Sequence, residues 1–233
     1  MLEISGLNTY YGRAHILSDL SLNVQRGEVV ALLGRNGAGK STTLKSINGL
    51  VRPASGKIVF ENQPLNRQSP HVACRRGIGY VPEERRIFTD LTVMENLEVG
   101  TRQPREGLTA WTLERIFHIF PNLAEMRNRP GGQMSGGEQQ MLTIARTLMG
   151  NPKLILLDEP SEGLAPVIVQ QMTSTIHELK REGLTIILSE QNLRFATKLA
   201  DRAYIIEKGH IRYEGTMKDL AEDEDVRNAY LTV

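Results

Sequence analysis

The chain has 233 residues and a net charge of +1, from 28 basic and 27 acidic residues. This balance gives no global field of the kind that marks proteins binding nucleic acids or anionic membranes. The single cysteine, Cys74, excludes an intramolecular disulfide framework, and we expect it to be buried filler rather than a nucleophile. No apolar run approaches the ~20 residues of a membrane span, and the N-terminus lacks signal-peptide features. These features predict a soluble cytoplasmic protein with one large domain or two small ones.

The first sixty residues are rich in strand patterns. Strands are predicted over residues 2–7, 17–24, 28–33 and 57–60, separated by turns that contain glycine or proline. Tyr10 and Tyr11 precede Gly12 in what we interpret as a polar loop. From the residues alone, covering a sheet edge is a simpler role for these tyrosines than stacking on a ligand.

A phosphate-binding motif follows the strand over 28–33. Its residues are Gly34, Arg35, Asn36, Gly37, Ala38, Gly39, Lys40, Ser41 and Thr42. The run matches G-x-x-x-x-G-K-[ST] between a strand and a helix, in which glycines let the backbone curl around phosphate oxygens. In this motif Lys40 reaches the β- and γ-phosphates, and the Ser41 hydroxyl binds Mg²⁺. The motif therefore predicts a site for ATP or GTP.

The middle of the chain, from about residue 92 to residue 150, changes to helical periodicity. Apolar residues recur at helical spacing over 113–120, where Pro121 ends the run, and again over 141–148. The second helix is preceded by Ser135, Gly136, Gly137 and Glu138. Serine is a good N-cap, and glycines at a helix start expose N–H groups to an anion. This block is predicted to be a helical insertion with its own anion-binding surface.

The last third alternates strands with helices. Strands are predicted over 78–81 before the insertion and over 154–157, 185–188 and 203–206 after it. The all-apolar run 154–157 is typical of a strand buried on both faces of a parallel sheet. This pattern predicts one α/β core that carries the helical block.

Two acidic residues follow the strand over 154–157. Asp158 ends that strand in the Walker B arrangement, which predicts that it holds the Mg²⁺ that Ser41 also contacts. Glu159 comes next and is the natural general base for the water that attacks the γ-phosphate.

Taken together, these motifs resemble those of the ATP-binding subunits of ABC transporters, and the resemblance covers the whole chain. Within that family the sequence is most similar to the ATPases of bacterial branched-chain amino acid importers, of the LivF type. The stretches that carry this narrower resemblance are YVPE at 80–83, DEPSEGLAP at 158–166, SEQN at 189–192 and VRNAYL at 226–231.

The resemblance implies a specific fold. That fold is an α/β P-loop core with an antiparallel β subdomain and an inserted helical subdomain, together forming one ABC ATP-binding domain. The core and β subdomain would comprise residues 1–91 and 151–233, and the helical subdomain residues 92–150. In this family an aromatic residue at the position of Tyr11 stacks on adenine, which reverses the sheet-edge interpretation above.

The resemblance also implies partners. Two ATPase subunits would pair head to tail, with each ATP held by the P-loop of one chain and the signature residues Ser135, Gly136, Gly137 and Glu138 of the other. The other subunit would be a copy of this chain or a related ATPase. Two membrane permeases would dock at a groove beside Glu83, with a periplasmic binding protein as an indirect partner and no nucleic acid. Such a subunit works in the cytoplasm, on the inner face of the cell membrane.

Three positions depart from the usual pattern of the family. Glu83 replaces a glutamine that contacts the metal, Leu164 replaces an aspartate, and Gln191 replaces a histidine. These substitutions are typical of the branched-chain subgroup and support that assignment. Glutamine can donate and accept hydrogen bonds but cannot exchange a proton near neutral pH, so we assign Gln191 a catalytic role in orienting water.

Other functions account for fewer of the motifs. A P-loop GTPase or small-molecule kinase shares only the first motif, and the sequence contains no N-K-x-D guanine motif. ABC proteins that clamp DNA carry a long coiled coil between the P-loop and the signature, whereas here that interval is short and lacks heptads. Those acting on ribosomes usually carry two ATPase units per chain, and this sequence has one. An ABC ATPase of another transporter, such as a urea, amide or lipopolysaccharide system, stays open as the alternative.

The P-loop assignment gives a first testable prediction. Lys40→Ala removes the cation expected to hold the β- and γ-phosphates, so ATP binding should weaken and hydrolysis should cease while the protein remains folded. Circular dichroism measures folding, titration with ATP measures binding, and phosphate release measures hydrolysis. Normal turnover by a folded Lys40→Ala protein would contradict the assignment.

Overall fold

The computed structural model describes residues 1–105 and 107–231. The strands and α-helices of this part are, in chain order, β1 (Leu2–Tyr11), β2 (Ala14–Val24), β3 (Val29–Leu33), α1 (Lys40–Ile47), β4 (Ser55–Phe60), β5 (Gln63–Pro64), α2 (Pro70–Arg76), β6 (Ile78–Val81), α3 (Val93–Gly100), α4 (Leu113–Ile119), α5 (Pro121–Glu125), α6 (Gly136–Leu148), β7 (Leu154–Asp158), α7 (Pro166–Arg181), β8 (Thr185–Glu190), α8 (Leu193–Leu199), β9 (Arg202–Glu207), β10 (His210–Thr216), α9 (Met217–Glu222) and α10 (Glu224–Tyr230).

The strands of the described residues form two sheets. One is antiparallel, in the order β2-β1-β4-β5. The other has the order β10-β9-β3-β8-β7-β6 and is parallel except for the antiparallel pair of β10 with β9. The strand that leads to the P-loop, β3, lies between β8 and β9, so the loop emerges from the interior of the sheet rather than from an edge.

Both faces of the parallel sheet are covered by apolar side chains. Along β3, Ala31 belongs to one core cluster, whereas Val30 and Leu32 belong to the other. The first cluster also contains residues of α6 and α7, and the second contains residues of the antiparallel sheet and α1. Because successive side chains of a strand point to opposite faces, a doubly covered strand needs a continuous apolar run. The buried strands predicted from apolar runs, β3 and β7, are therefore confirmed.

Residues 93–148 contain helices α3 to α6, and a 3₁₀ turn at Gly131–Gln133 precedes α6. The predicted N-cap of α6 is present as a capping box. The Ser135 hydroxyl accepts the N–H of Glu138 at 3.4 Å, and the Glu138 carboxylate accepts the N–H of Ser135 at 2.7 Å. The limits of the helical subdomain at 92 and 150 stay a prediction.

Several local predictions are wrong. Tyr10 and Tyr11 end β1, paired with His15 and Ala14, rather than lying in a loop. Cys74 is exposed on α2, a helix whose short apolar pattern gave no clear signal in the sequence. The edge strand β10 was also not predicted, because its residues are only partly buried or exposed and no apolar run marks it.

Within the described ranges, none of the helices combines the length and the apolar character needed to cross a bilayer.

The fold depends on a buried polar residue at the start of the helical block. Asn96 has no exposed surface, and its side-chain oxygen accepts the N–H of Phe88 at 3.0 Å. Its amide nitrogen donates to the carbonyls of Phe88 (3.0 Å), Leu91 (3.2 Å) and Thr92 (3.0 Å). One side chain therefore holds the whole turn that enters α3.

Asn96→Ala should lower the free energy of unfolding by about 2–4 kcal/mol, because buried backbone groups lose their partners. Urea titration followed by circular dichroism measures the change. Asn122→Ala is the matched control, since Asn122 is exposed in α5 and its loss should cost at most ~0.5 kcal/mol. Equal stability losses in the two variants would contradict the role given to Asn96.

Candidate active site

The P-loop connects β3 to α1 through backbone conformations that need glycine. Gly39, the N-cap of α1, has φ 117°, and a Cβ there would lie 2.8 Å from Cδ2 of Leu17. No side chain caps α1, and its first turn contains no acidic residue. The N–H groups at the start of this helix are therefore available to an anion, and the helix dipole favours one there.

The loop forms one wall of a cavity of about 380 Å³. The lining residues are Tyr11, Ile16, Asn36, Gly37, Gly39, Lys40, Ser41, Thr42, Glu83, Glu159 and Glu162. The structure thus brings most of the predicted nucleotide-binding residues together with Glu83 and Glu159. Among the other P-loop residues, Ala38 is buried, and Gly34 and Arg35 contribute their carbonyl oxygens to Lys40.

Lys40 is buried within this site and its ammonium group has three partners. Nζ donates to the carbonyls of Gly34 at 2.8 Å and Arg35 at 3.1 Å, and it lies 3.0 Å from Oε1 of Glu159. The two charged side chains are only 3% and 6% exposed. A phosphate group that enters the loop must therefore replace Glu159 as the anionic partner of Lys40.

Asp158 is a buried carboxylate that accepts three hydroxyl hydrogen bonds. Oδ1 accepts from Ser41 at 2.9 Å and from Ser189 at 2.7 Å, and Oδ2 accepts from the Tyr80 hydroxyl at 2.9 Å. The parallel register pairs Asp158 directly with Ser189 on the neighbouring strand. These donors compensate a charge that has lost its contact with water.

Glu159 adopts a left-handed backbone conformation, with φ 44°. Its N–H donates to both the carbonyl and the hydroxyl of Ser189 at 3.1 Å, which holds this strained turn in place. The side chain of Gln191 donates to Oε2 of Glu159 at 3.1 Å. The two predicted catalytic residues are therefore in direct contact, although they are 32 positions apart in the chain.

The residues present fit a magnesium ion. Ser41 and Asp158 offer two oxygen atoms 2.9 Å apart, and Glu83 lines the same cavity. Mg²⁺ prefers oxygen ligands and usually takes one or two from protein, with waters and substrate phosphates completing the set. Among the described residues, no cluster of three or more His, Cys, Asp or Glu side chains could hold a metal alone. Two protein oxygens suit a magnesium ion whose other ligands are waters and nucleotide phosphates.

Negative charge is concentrated around the cavity. Desolvation, followed by the charges of Glu159, Asp158 and Glu84, raises the pKa of Glu83. A hydrogen bond with Glu159, together with desolvation and neighbouring carboxylates, raises the pKa of Glu162 to about 7. A divalent cation bound at this position would reduce the repulsion among these groups.

The two tyrosines at the end of β1 have different surroundings. The Tyr10 ring stacks on His15, with centroids 4.1 Å apart and planes at 10°, and it does not line the cavity. The Tyr11 ring is 48% exposed and forms part of the cavity wall. Of the two rings, that of Tyr11 is therefore the one available to stack on a nucleobase.

The predicted signature residues lie elsewhere in the chain. Ser135 and Gly136 are at the start of α6 and do not line the cavity. A Cβ on Gly136 would overlap the guanidinium of Arg85, which covers that glycine. A single chain thus presents the P-loop and the signature separately.

The segment after Glu83 is fastened to α6. Thr143 donates to the carbonyl of Arg85 at 2.6 Å, and Arg146 donates to the carbonyl of Arg86 at 2.6 Å. The Arg146 guanidinium also lies 5.0 Å from the ring centroid of Phe88, which is 47% exposed. The exposed ring and the signature helix are therefore connected through one arginine.

Sequence reasoning gave no role to four residues of the site. Tyr80 and Ser189 hold Asp158, Glu162 contacts Glu159, and Glu190 accepts the N–H of Ser161 at 3.1 Å. Burial raises the pKa of Glu190. For Tyr80, Ser189 and Glu190 the available signal was their position near the ends of parallel strands, where the carboxyl ends of α/β sheets form binding sites. Glu162 lies in the turn after β7 and gave no such signal.

Residues 17–162 match the family model described as ABC transporter. The chain belongs to this family. Its fold is accordingly that of an ABC ATPase cassette, as the sequence predicted. One relative is the high-affinity branched-chain amino acid transport ATP-binding protein BraG of Pseudomonas aeruginosa, which is 46% identical over 231 residues and 99% of both chains.

Other ABC proteins are also similar over nearly the full length. The lipopolysaccharide export system ATP-binding protein LptB of Haemophilus influenzae is 38% identical, over 99% of this chain and 97% of LptB. A solved structure, the dimeric post-hydrolysis state of the ATP-binding cassette MJ0796 bound to ADP and Pi, superposes with a TM-score of 0.79. It is 26% identical, and the match covers 93% of this chain and 99% of that one.

The raised pKa of Glu162 predicts a pH dependence of stability. Folded Glu162 keeps its proton to about pH 7, whereas an unfolded glutamate loses it near 4.5, so the native state binds more protons in this window. The contribution of Glu162 to the free energy of unfolding should therefore decrease as pH rises through the window.

Glu162→Gln cannot titrate, so this variant should become more stable relative to wild type as pH rises through the same window. Urea unfolding at a series of pH values measures the difference. Glu222→Gln, at an exposed position at the end of α9, is the control and should follow wild type. Parallel curves for wild type and Glu162→Gln would contradict the prediction.

Proposed function

We propose that this chain is the ATP-hydrolysing subunit of an ABC importer for branched-chain amino acids. The observation that carries the proposal is a set of direct contacts beside the P-loop cavity, which pair Lys40 with Glu159, Ser41 with Asp158 and Gln191 with Glu159. This arrangement supplies a phosphate-binding cation, oxygen ligands for a metal and a carboxylate beside a polar amide. Those are the groups that hydrolysis of a nucleoside triphosphate requires.

ATP binding begins with an exchange of partners at Lys40. The phosphate chain lies against the N–H groups at the start of α1, and Lys40 releases Glu159 to hold the β- and γ-phosphates. Ser41 and Asp158, with Glu83 nearby, would hold Mg²⁺, which would stabilise the negative charge of the phosphates. The adenine stacks on Tyr11.

Hydrolysis uses the two residues that are already in contact. Glu159, freed from Lys40, accepts a proton from the attacking water, while the Gln191 amide orients that water. The water oxygen forms a bond to the γ-phosphorus, and the bond to the β-phosphate oxygen breaks, giving ADP and phosphate. Since Gln191 cannot take up a proton, we infer a slow but active site. A faster site would belong to a partner that keeps histidine.

The nucleotide-binding site is completed by a second ATPase subunit, either a copy of this chain or a related one. Ser135, Gly136, Gly137 and Glu138 of one subunit would contact the ATP held by the P-loop of the other. The absence of these residues from the lining of the cavity supports contact in trans. The cassette MJ0796, to which this chain is similar, is dimeric with ADP and Pi bound, which supports the pairing of two such subunits.

Two membrane permeases would bind beside Glu83, at the segment of Glu84, Arg85, Arg86, Ile87 and Phe88. The exposed Phe88 ring forms an apolar anchor with charged residues around it, as in small protein interfaces. Arg146 and Thr143 would transmit movement of this segment to α6 and the signature. The subunit would therefore work on the cytoplasmic face of the membrane, with a periplasmic binding protein as an indirect partner.

The transported substrate is inferred from the relatives. The 46% identity to BraG exceeds the 38% identity to LptB, and both matches extend over nearly the full chain. This difference favours branched-chain amino acid import over lipopolysaccharide export. Purification of the tagged chain from its native membrane, with identification of the permeases and radiolabelled leucine uptake, tests the assignment. Copurification with a lipopolysaccharide export complex would overturn it.

The two catalytic residues should give graded losses of activity. Glu159→Gln removes the general base and the anionic partner of Lys40, so it should bind ATP more tightly, hydrolyse it very slowly and trap the closed dimer. Gln191→Ala removes only water orientation and should reduce hydrolysis at this site by ~10²-fold. Phosphate release and size-exclusion chromatography with ATP measure both effects.

Glu222→Gln serves as the control for these variants, since it changes one exposed carboxylate far from the motif residues in sequence. The proposed head-to-tail pairing is contradicted if Glu159→Gln binds ATP but stays monomeric at every concentration, with or without partner. If only the partner's histidine affects turnover in the assembled transporter, the catalytic role of Gln191 is wrong.

A further inference from the structure

The hydroxyl of Tyr80 makes a contact that the proposed mechanism does not use. Tyr80 lies on the edge strand β6, and its hydroxyl donates to Oδ2 of Asp158 at 2.9 Å. The other two donors, Ser41 and Ser189, both approach Oδ1. In the described part of the chain, Tyr80 is therefore the side chain that holds the second oxygen of this carboxylate.

This geometry matters because the terminal torsion of an aspartate is soft. A carboxylate held at one oxygen can rotate about its last bond, whereas hydrogen bonds at both oxygens define its plane. Mg²⁺ demands near-ideal octahedral geometry and tolerates misplaced ligands poorly. If Ser41 were to bind the metal, Oδ1 would keep the hydrogen bond from Ser189, and Oδ2 would keep that from Tyr80.

Tyr80 is suited to act as a fixed donor. Its hydroxyl meets Asp158 at 2.9 Å from a strand that pairs directly with β7, the strand that Asp158 ends. The ring packs against the core cluster that contains Leu156, its partner in the parallel register. The hydroxyl is therefore fixed by the sheet rather than by a mobile loop.

We propose that Tyr80 is a positioning residue for Asp158, which it holds in the orientation that binds Mg²⁺ with the nucleotide. This inference rests on the proposed function of the site. Loss of an outer partner of a metal ligand typically costs 10–100-fold in metal affinity or activity. Tyr80→Phe keeps the ring and removes only the hydroxyl.

The test measures nucleotide binding as a function of magnesium, apart from turnover. Binding of a fluorescent ATP analogue to the purified chain is titrated with MgCl₂, and the same binding is measured in excess EDTA. Tyr80→Phe should need about 10–100-fold more Mg²⁺ for half of the magnesium-dependent signal. Its metal-free affinity should equal that of wild type, because the P-loop contacts are unchanged.

Tyr213→Phe is the matched control, since Tyr213 lies on β10 at the opposite edge of the same sheet. It should require the same Mg²⁺ concentration as wild type. Mn²⁺ takes the same oxygen ligands with less strict geometry. Replacing Mg²⁺ by Mn²⁺ should therefore reduce the difference in metal requirement between Tyr80→Phe and wild type.

Two results would overturn the role of Tyr80. One is an unchanged magnesium requirement in Tyr80→Phe, and the other is an equal loss of affinity in EDTA, which would indicate general disruption of the site. Failure of the proposed function gives a different result, because wild type itself would then show no magnesium-dependent nucleotide binding.

Discussion

Parallel pairing of β7 with β8 is the constraint on which the site depends. The register places Asp158 beside Ser189, so a buried carboxylate meets a hydroxyl donor as soon as the two strands align. The next residue, Glu159, is then turned back by hydrogen bonds to the same serine. A shift by one residue would reverse every side chain and remove both contacts. The chemistry of the site is thus a consequence of sheet register.

The ion pair between Lys40 and Glu159 links this sheet edge to the P-loop. Removing two charges from water is unfavourable, and it is tolerated here because Lys40 also donates to two loop carbonyls. Breaking such a pair without a replacement leaves a buried charge uncompensated. In the proposed function a phosphate group would supply the replacement, and only an anion could take the place of Glu159 beside Lys40.

Sequence patterns predicted much of this architecture because they report burial directly. The apolar runs before Gly34 and Asp158 could only belong to covered strands, and Ser135 with Glu138 three positions later specified a helix start. Patterns failed where tertiary contacts decide. Strand β1 continues through Tyr10 because β2 extends to meet it, and Tyr80 gained its role only when β6 aligned beside β7. Similarly, nothing local to Glu162 indicates that it contacts Glu159.

The position of β3 in the sheet has a consequence for synthesis of the protein. Its neighbours, β8 and β9, are encoded more than 150 positions downstream, between Thr185 and Glu207. A chain emerging from the ribosome therefore exposes the P-loop motif long before the strand beneath it can pair on either side. Contacts so distant in sequence form slowly, and unpaired apolar strands attract chaperones or aggregate meanwhile. Nucleotide capture by the nascent polypeptide would therefore have to wait until synthesis has passed β9, which ends at Glu207.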